Sequence, residues 1–214
     1  AVAASFGAVG LGSDTGNSIR GPSSHQALAG IRSTMGLTSR SGVVPLNLLA
    51  DIAGPMARTM EDAVTVFQVI VGHDPDDPVT AAAQGRAIPS YADALRADGL
   101  KGARIGVLRQ AYSRSGPGGT GVDPEIEAVF AQALRDLERA GATIVDPAAI
   151  DLSGVRRAQG MGGCAGFAYD IAQWFARHQG RTPVSSLADV VKSRRFHPSV
   201  QQRLQSAAES KPAE

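Results

Sequence analysis

The chain is short of cysteine, of net charge and of long apolar runs, and each shortage closes off a class of function. Cys164 is the single cysteine. It can form neither an intrachain disulfide framework nor a cysteine metal cluster, and it points to a reducing, cytoplasmic setting. Twenty-one basic residues against 20 acidic ones leave a formal charge of +1. No run of Lys and Arg is interleaved with aromatics, so no nucleic-acid partner is expected. The one locally basic stretch, Lys192-Ser193-Arg194-Arg195, reads as a solvated helix end. No apolar run reaches the ~20 residues of a membrane helix, and no charged-then-apolar leader opens the chain, so no membrane partner is expected. His73, His178 and His197 are scattered and the carboxylates never pair at ligand spacing, so neither a metal nor a cofactor is expected. The glycine loop 116–121 lacks the Gly-Lys-Ser/Thr ending of a phosphate cradle and reads as a flexible loop.

What remains is an ordinary globular composition, 43% hydrophobic and 19% charged over 214 residues, enough for one large domain or two small ones. Ala8-Val9-Gly10-Leu11 reads as a short buried strand. After it, Pro22 suits a first helical turn that Ser23 or Ser24 could cap, with Ala27, Leu28 and Ile31 at helical spacing. Residues 34–57 alternate apolar runs with Gly and Pro, which predicts strands and tight connections. Thr59 as N-cap, the face Met60, Ala63, Val64, Phe67, Ile70 and Val71, and Gly72 as the stop predict a helix. His73-Asp74-Pro75-Asp76-Asp77-Pro78 cannot continue it, and residues 73–100 read as a connection holding one helical turn near Tyr91–Leu95. Then come strand 104–108, glycine-rich loop 113–121, a helix capped by Asp123 with Pro124 at its first position, the stop Gly141, and strand 142–145. Strand, helix, strand implies parallel pairing and an α/β fold. Residues 155–177 and 185–207 read as further helix.

The residues that invite chemistry are Gly12-Ser13-Asp14-Thr15-Gly16-Asn17-Ser18-Ile19-Arg20. A serine that attacks a carbonyl must be reachable, and the oxyanion it creates must be met by pre-aimed N–H groups, commonly backbone donors near the nucleophile. A serine in a Gly-rich turn is, on its own, as well explained as a loop or cap residue. Cys164, within Gly160-Met161-Gly162-Gly163-Cys164-Ala165-Gly166, reads as a small buried residue in close-packed chain in preference to a reactive thiol.

The loop does not stand alone. Together with Gly36-Leu37-Thr38-Ser39-Arg40-Ser41-Gly42-Val43-Val44-Pro45, Asp51, and Gly54-Pro55-Met56-Ala57-Arg58-Thr59-Met60-Glu61-Asp62-Ala63, it closely resembles the amidase signature family. Leu100–Val107 and Asp123-Pro124-Glu125 extend the resemblance over most of residues 1–145. It implies a mixed β-sheet flanked by helices and, for this chain, an incomplete single domain spanning 1–214. Residues 1–72 would be its nucleophile-loop portion, 73–100 a connection, and 101–214 a second portion with the β-α-β unit and helices. It implies amide hydrolysis through an acyl-enzyme on Ser18, with Thr15, Gly16, Asn17 and Ser18 as the oxyanion loop and Asp14 and Arg20 holding that loop's shape. The implied partner is a small-molecule amide, with a homodimer left open.

The chain departs from the family pattern in three places. Asn17 stands where a second glycine is usual, and Asn accepts unusual backbone angles better than most residues. The segment with a bridging serine and the lysine base should both precede Ala1. Lys101, Lys192 and Lys211 all follow the loop, and His25, seven residues after Ser18, sits on a helix leading away from it. Two alternatives therefore stand beside the amidase: a noncatalytic amidase-fold fragment or pseudoenzyme, and the amidase subunit of a tRNA-dependent amidotransferase.

Overall fold

The computed structural model of the protein describes residues 1–109, 122–151 and 166–210. The expectations for the glycine loop 113–121, for Cys164 and for Lys211 lie outside these residues. The chain divides into two compact units, one built from Ala1–Ala92 and Gly162–Glu214, the other from Asp93–Met161.

The first unit is organised around β3 (Ile52–Ala57), the middle strand of an antiparallel three-stranded sheet. On one side β3 pairs with β1 (Val9–Asp14), from Val9 opposite Ala57 to Asp14 opposite Ile52, and on the other with β2 (Ala29–Gly30), which lies opposite Ala57 and Met56. Ile52, Gly54, Pro55 and Ala57 are buried. A Cβ on Gly54 would stand 2.0 Å from the carbonyl oxygen of Ile31, so only glycine lets that backbone cross the strand. Helix α2 (Met60–Ile70) lays Ala63, Val64 and Phe67 against β3, and Thr59 Oγ1 caps it by accepting from the Asp62 N–H at 3.0 Å. Phe67 meets Tyr91, from a 3-10 turn at Tyr91–Ala94, with ring centroids 4.9 Å apart.

The helix expected after Pro22 is cut short. Helix α1 spans only Arg20–His25, and neither Ser23 nor Ser24 caps it: the N-cap is Ile19. Ala27 takes a left-handed φ of 52°, and the Leu28 N–H donates to the Ser23 carbonyl at 2.8 Å, the long-range closure of a Schellman-type stop. The apolar spacing of Ala27, Leu28 and Ile31 thus serves a return into the sheet, where Ala29 and Gly30 become β2. Sheet pairing overrides helical spacing here. Residues 34–57 hold less strand than the Gly/Pro alternation predicts: before β3 there is only the single bridge from Thr38 to Val71. Side chains hold the remainder. Arg40 Nη2 lies 2.7 Å from Asp77 Oδ1, its Nε donates to Oδ2 at 2.9 Å, its own N–H donates to Oδ2 at 2.7 Å, and Nη1 donates to the Leu48 carbonyl. Helices α4 (Phe167–Arg177), α5 (Leu187–Ser193) and α6 (Gln201–Glu209) complete this unit, with Ile171 and Phe175 buried. Asp170 on α4 accepts from the Leu48 N–H at 3.1 Å.

The second unit is the expected β-α-β arrangement. Strands β4 (Arg104–Gly106) and β5 (Thr143–Val145) pair in parallel, joined through α3 (Pro124–Arg139). Asp123 accepts from the Glu125 N–H at 2.8 Å, and Gly141, at φ 98°, ends the turn after the helix. The apolar face of α3 is regular but uncovered, with Ile126 and Val129 63% and 72% exposed. Among the described residues, strands pair antiparallel in the first unit and parallel in the second, each with helices beside them, within an α/β fold.

The Arg40–Asp77 pair is nearly dry, with side chains 12% and 6% exposed. The Arg40 side-chain hydrogen bond, helped by its N–H and its charge and opposed by burial, holds the Asp77 carboxyl below the usual carboxylate range. A lowered folded-state pKa stabilises the fold above the unfolded value of ~4 and loses that contribution as pH falls through the folded value. Asp77→Asn should cost ~3–5 kcal/mol at pH 7, since it strands a buried guanidinium. In chemical denaturation of the complete protein, the gap between wild type and variant should close as pH drops below about 4. A gap that is flat with pH would contradict this account of the pair.

Candidate active site

The Gly/Ser loop is the turn that carries the chain from β1 into α1, and two buried carboxylates fix its ends. Asp14, the last residue of β1, is fully buried. Its Oδ2 accepts from the Ile19 N–H at 3.2 Å, the Arg20 N–H at 3.3 Å and Arg20 Nε at 3.0 Å, while Oδ1 accepts from Arg20 Nη2 at 3.3 Å. Arg32 adds a second cation, its Nε 3.3 Å from Oδ1. Burial pushes the Asp14 carboxyl up, but the Arg20 side-chain hydrogen bond, the two backbone N–H groups and the Arg20 charge outweigh it, leaving the carboxyl below its ordinary range. Arg20 also reaches back over the loop, donating from Nη2 to the Gly16 carbonyl at 2.7 Å. Ile19, fully buried between these contacts, plugs the loop into the core.

At the other end Thr15 Oγ1 donates to Asp51. Asp51 is 2% exposed, and its Oδ2 also accepts from the Leu46 and Asn47 N–H groups at 2.9 and 3.0 Å. Sequence reasoning places Asp51 in the motif but gives it no role. Its only local signal is a carboxylate set directly before the apolar strand β3, and neither the link to Thr15, 36 residues away, nor the capture of two turn N–H groups has a sequence period.

Between these anchors Gly16, Asn17 and Ser18 are exposed. Among the described residues their N–H groups have no hydrogen-bond partner, and neither does Ser18 Oγ. A Cβ added to Gly16 would meet nothing within 4 Å. The Asn17 side chain lies over α1, where a Cβ on Gly21 would come within 2.5 Å of Asn17 Nδ2. The loop therefore presents a reachable hydroxyl beside unclaimed backbone donors, the arrangement that acyl transfer needs.

None of the other candidates among the described residues is hydrogen-bonded to Ser18. His25 ends α1, exposed, and makes no hydrogen bond to Ser18. Lys101 belongs to the second unit and Lys192 to α5. Among the described residues no group of three or more His, Cys, Asp or Glu could hold a metal ion, and no helix is long and apolar enough to cross a membrane. Two cavities, of about 720 and 440 Å³, lie in the first unit, and Ser18 lines neither.

The chain matches the Amidase family over residues 1–213. It is 42% identical over 146 residues to a glutamyl-tRNA(Gln) amidotransferase subunit of Thermosynechococcus vestitus, covering 68% of this chain and 28% of that protein. To a putative amidase of Arthroderma benhamiae it is 42% identical over 136 residues, 64% of this chain and 22% of that one. Among solved structures, an amidase family protein from Bacillus anthracis superposes with a TM-score of 0.79 at 30% identity, over 100% of this chain and 41% of that chain. The native peptide amidase from Stenotrophomonas maltophilia superposes with a TM-score of 0.78 at 31% identity, over 98% and 42%. The chain thus spans well under half the length of these relatives. Its loop, its β1-β3-β2 sheet and its match along 213 residues make it a member of the amidase family, with the amidase signature fold.

Proposed function

We propose that the protein of which this chain forms part hydrolyses the C–N bond of a carboxamide, with Ser18 as nucleophile. The observation that carries the reading is the row of unclaimed N–H groups at Gly16, Asn17 and Ser18, held between the buried carboxylates Asp14 and Asp51. Ser18 Oγ attacks the carbonyl carbon, a C–O bond forms, and the hydroxyl proton passes to a base. The carbonyl oxygen, now anionic, is met by the loop N–H groups, each of which is worth ~3 kcal/mol of transition-state stabilisation. Collapse breaks the C–N bond, the amine leaves with a proton, and water then cleaves the Ser18 ester to free the acid. Thr15 contributes its N–H and, through Asp51, a fixed loop entry. Asp14 and Arg20 keep the peptide planes from turning. No described residue is hydrogen-bonded to Ser18 Oγ; the family resemblance assigns the role of base to a lysine relayed by a serine.

The single-cysteine composition supports a cytoplasmic site of action. A second reading, the amidase subunit of a tRNA-dependent amidotransferase, is favoured by the 42% identity to the glutamyl-tRNA(Gln) amidotransferase protein of Thermosynechococcus vestitus. The structural neighbours at 30–31% identity are amidases, which favours a self-standing hydrolase. Activity on a simple carboxamide without added partner chains separates the two.

Two outcomes are expected. Ser18→Ala in the complete protein should lower kcat by about 10⁴-fold or more while leaving the thermal midpoint in place; equal turnover by variant and wild type would remove Ser18 from the mechanism. Thr15→Val, which deletes the hydroxyl bound to Asp51, should lower kcat by about 10- to 100-fold through misplacement of the loop, with Thr15→Ser restoring most of it. A Thr15→Ser variant as slow as Thr15→Val would show that the methyl group, not the hydrogen bond, matters.

A further inference from the structure

The family pattern has glycine where this chain has Asn17, and a loop that must aim its N–H groups has to put that side chain somewhere. It goes to the helix. The Asn17 carboxamide lies on the first turn of α1, directly over the Cα of Gly21: a Cβ there would stand 2.5 Å from Asn17 Nδ2, 3.1 Å from Cγ and 3.6 Å from Oδ1. The Gly21 N–H meanwhile donates to the Asn17 carbonyl at 2.7 Å. Both ends of residue 17, side chain and carbonyl, are thus seated on residue 21. Gly21 has no positive φ that would call for glycine, whereas the seven described glycines with such a φ lie elsewhere. Its missing Cβ is used for space.

We propose that Gly21 is a positioning residue for the nucleophile loop, reserving the seat that keeps the Asn17 carboxamide off the face of Ser18 and holds the Asn17 N–H in the oxyanion row. The inference rests on the reading of Ser18 as nucleophile. Any side chain at 21 displaces the carboxamide, since a Cβ cannot stand 2.5 Å from Asn17 Nδ2. Displaced, it has the open side of the loop to move into, where Gly16 and Ser18 are exposed. There it occupies the approach to the hydroxyl and turns the peptide plane between Asn17 and Ser18. The two residues should therefore be interchangeable only as a pair: Asn with Gly, or Gly with a larger residue.

The test is a double-mutant cycle on the complete protein, reading the rate at which a fluorophosphonate labels Ser18, the split between kcat and KM on a simple amide, and the thermal midpoint. Gly21→Ala should slow labelling and kcat by at least about tenfold, as an ångström-scale displacement in an active site does. In the Asn17→Gly background the same change should cost less than about twofold. A Gly21→Ala variant that labels like wild type, or that loses as much in the Asn17→Gly background as alone, overturns the proposal. If Gly21→Ala alone does not fold, recovery of folding in Asn17→Gly/Gly21→Ala supports the seat, and failure to recover overturns it. The parent reading is judged separately: Ser18→Ala that still takes the label at the same rate removes the nucleophile, whatever the cycle shows.

Discussion

The buried carboxylate of Asp14 is the constraint on which the site depends. A charge with no solvent contact is tolerated only when cations and N–H groups answer it. Here the answers come from the next turn of the chain: the Ile19 and Arg20 N–H groups, the Arg20 fork, and Arg32 from beyond β2. Satisfying Asp14 therefore bends the chain back on the end of β1 within six residues and seats Ile19 in the core. The loop's outward face follows from that bend. Gly16 to Ser18 face water because their neighbours on both sides are held inward.

The same device recurs at Asp51 and Asp77. Each is a buried carboxylate that accepts backbone N–H groups from a segment without regular structure: Leu46 and Asn47 for Asp51, Arg40 for Asp77. Residues 34–51 have no ladder of their own beyond the bridge at Thr38, and their backbone donors must be met some other way. Asp51, Asp77 and Asp170, which accepts from the Leu48 N–H, supply in side chains what the sheet does not supply in strands. Stability and site geometry are consequently not separable in this unit, because the groups that hold the connection also hold the loop entry through Thr15.

Much of this architecture is legible in the sequence where a local rule governs. The caps at Thr59 and Asp123, the stops at Gly72 and Gly141 and the β-α-β order each depend on residues within one helical turn or one strand. The helix after Pro22 is shorter than its spacing predicts because Leu28 and Ile31 obey helical spacing for a reason that is not helical. Ala27 accepts a left-handed φ and the chain turns to pair with β3, a contact nearly 30 residues away that no window of the sequence contains. Residues 34–51 show the same limit: their Gly and Pro mark the turns correctly, but what binds the turns together is long-range, from Arg40 to Asp77 and from Leu48 to Asp170. At the site, the serine and its glycines are legible as a motif. The role of Asp51 and the seating of Asn17 on Gly21 are not, since both are questions of space.

A loop that stabilises an oxyanion faces a conflict, because backbone N–H groups left without partners are costly unless water or a ligand meets them. This chain resolves it by position. Donors that point inward, at Ile19, Arg20, Leu46 and Asn47, are matched to carboxylates. Those at Gly16, Asn17 and Ser18 lie on the exposed stretch, open to water and, in the proposed function, to substrate. Holding unpaired donors steady demands that everything around them be paired, and the buried aspartates do that without occupying the face on which the reaction would take place. Preorganisation in this loop is thus a property of its underside.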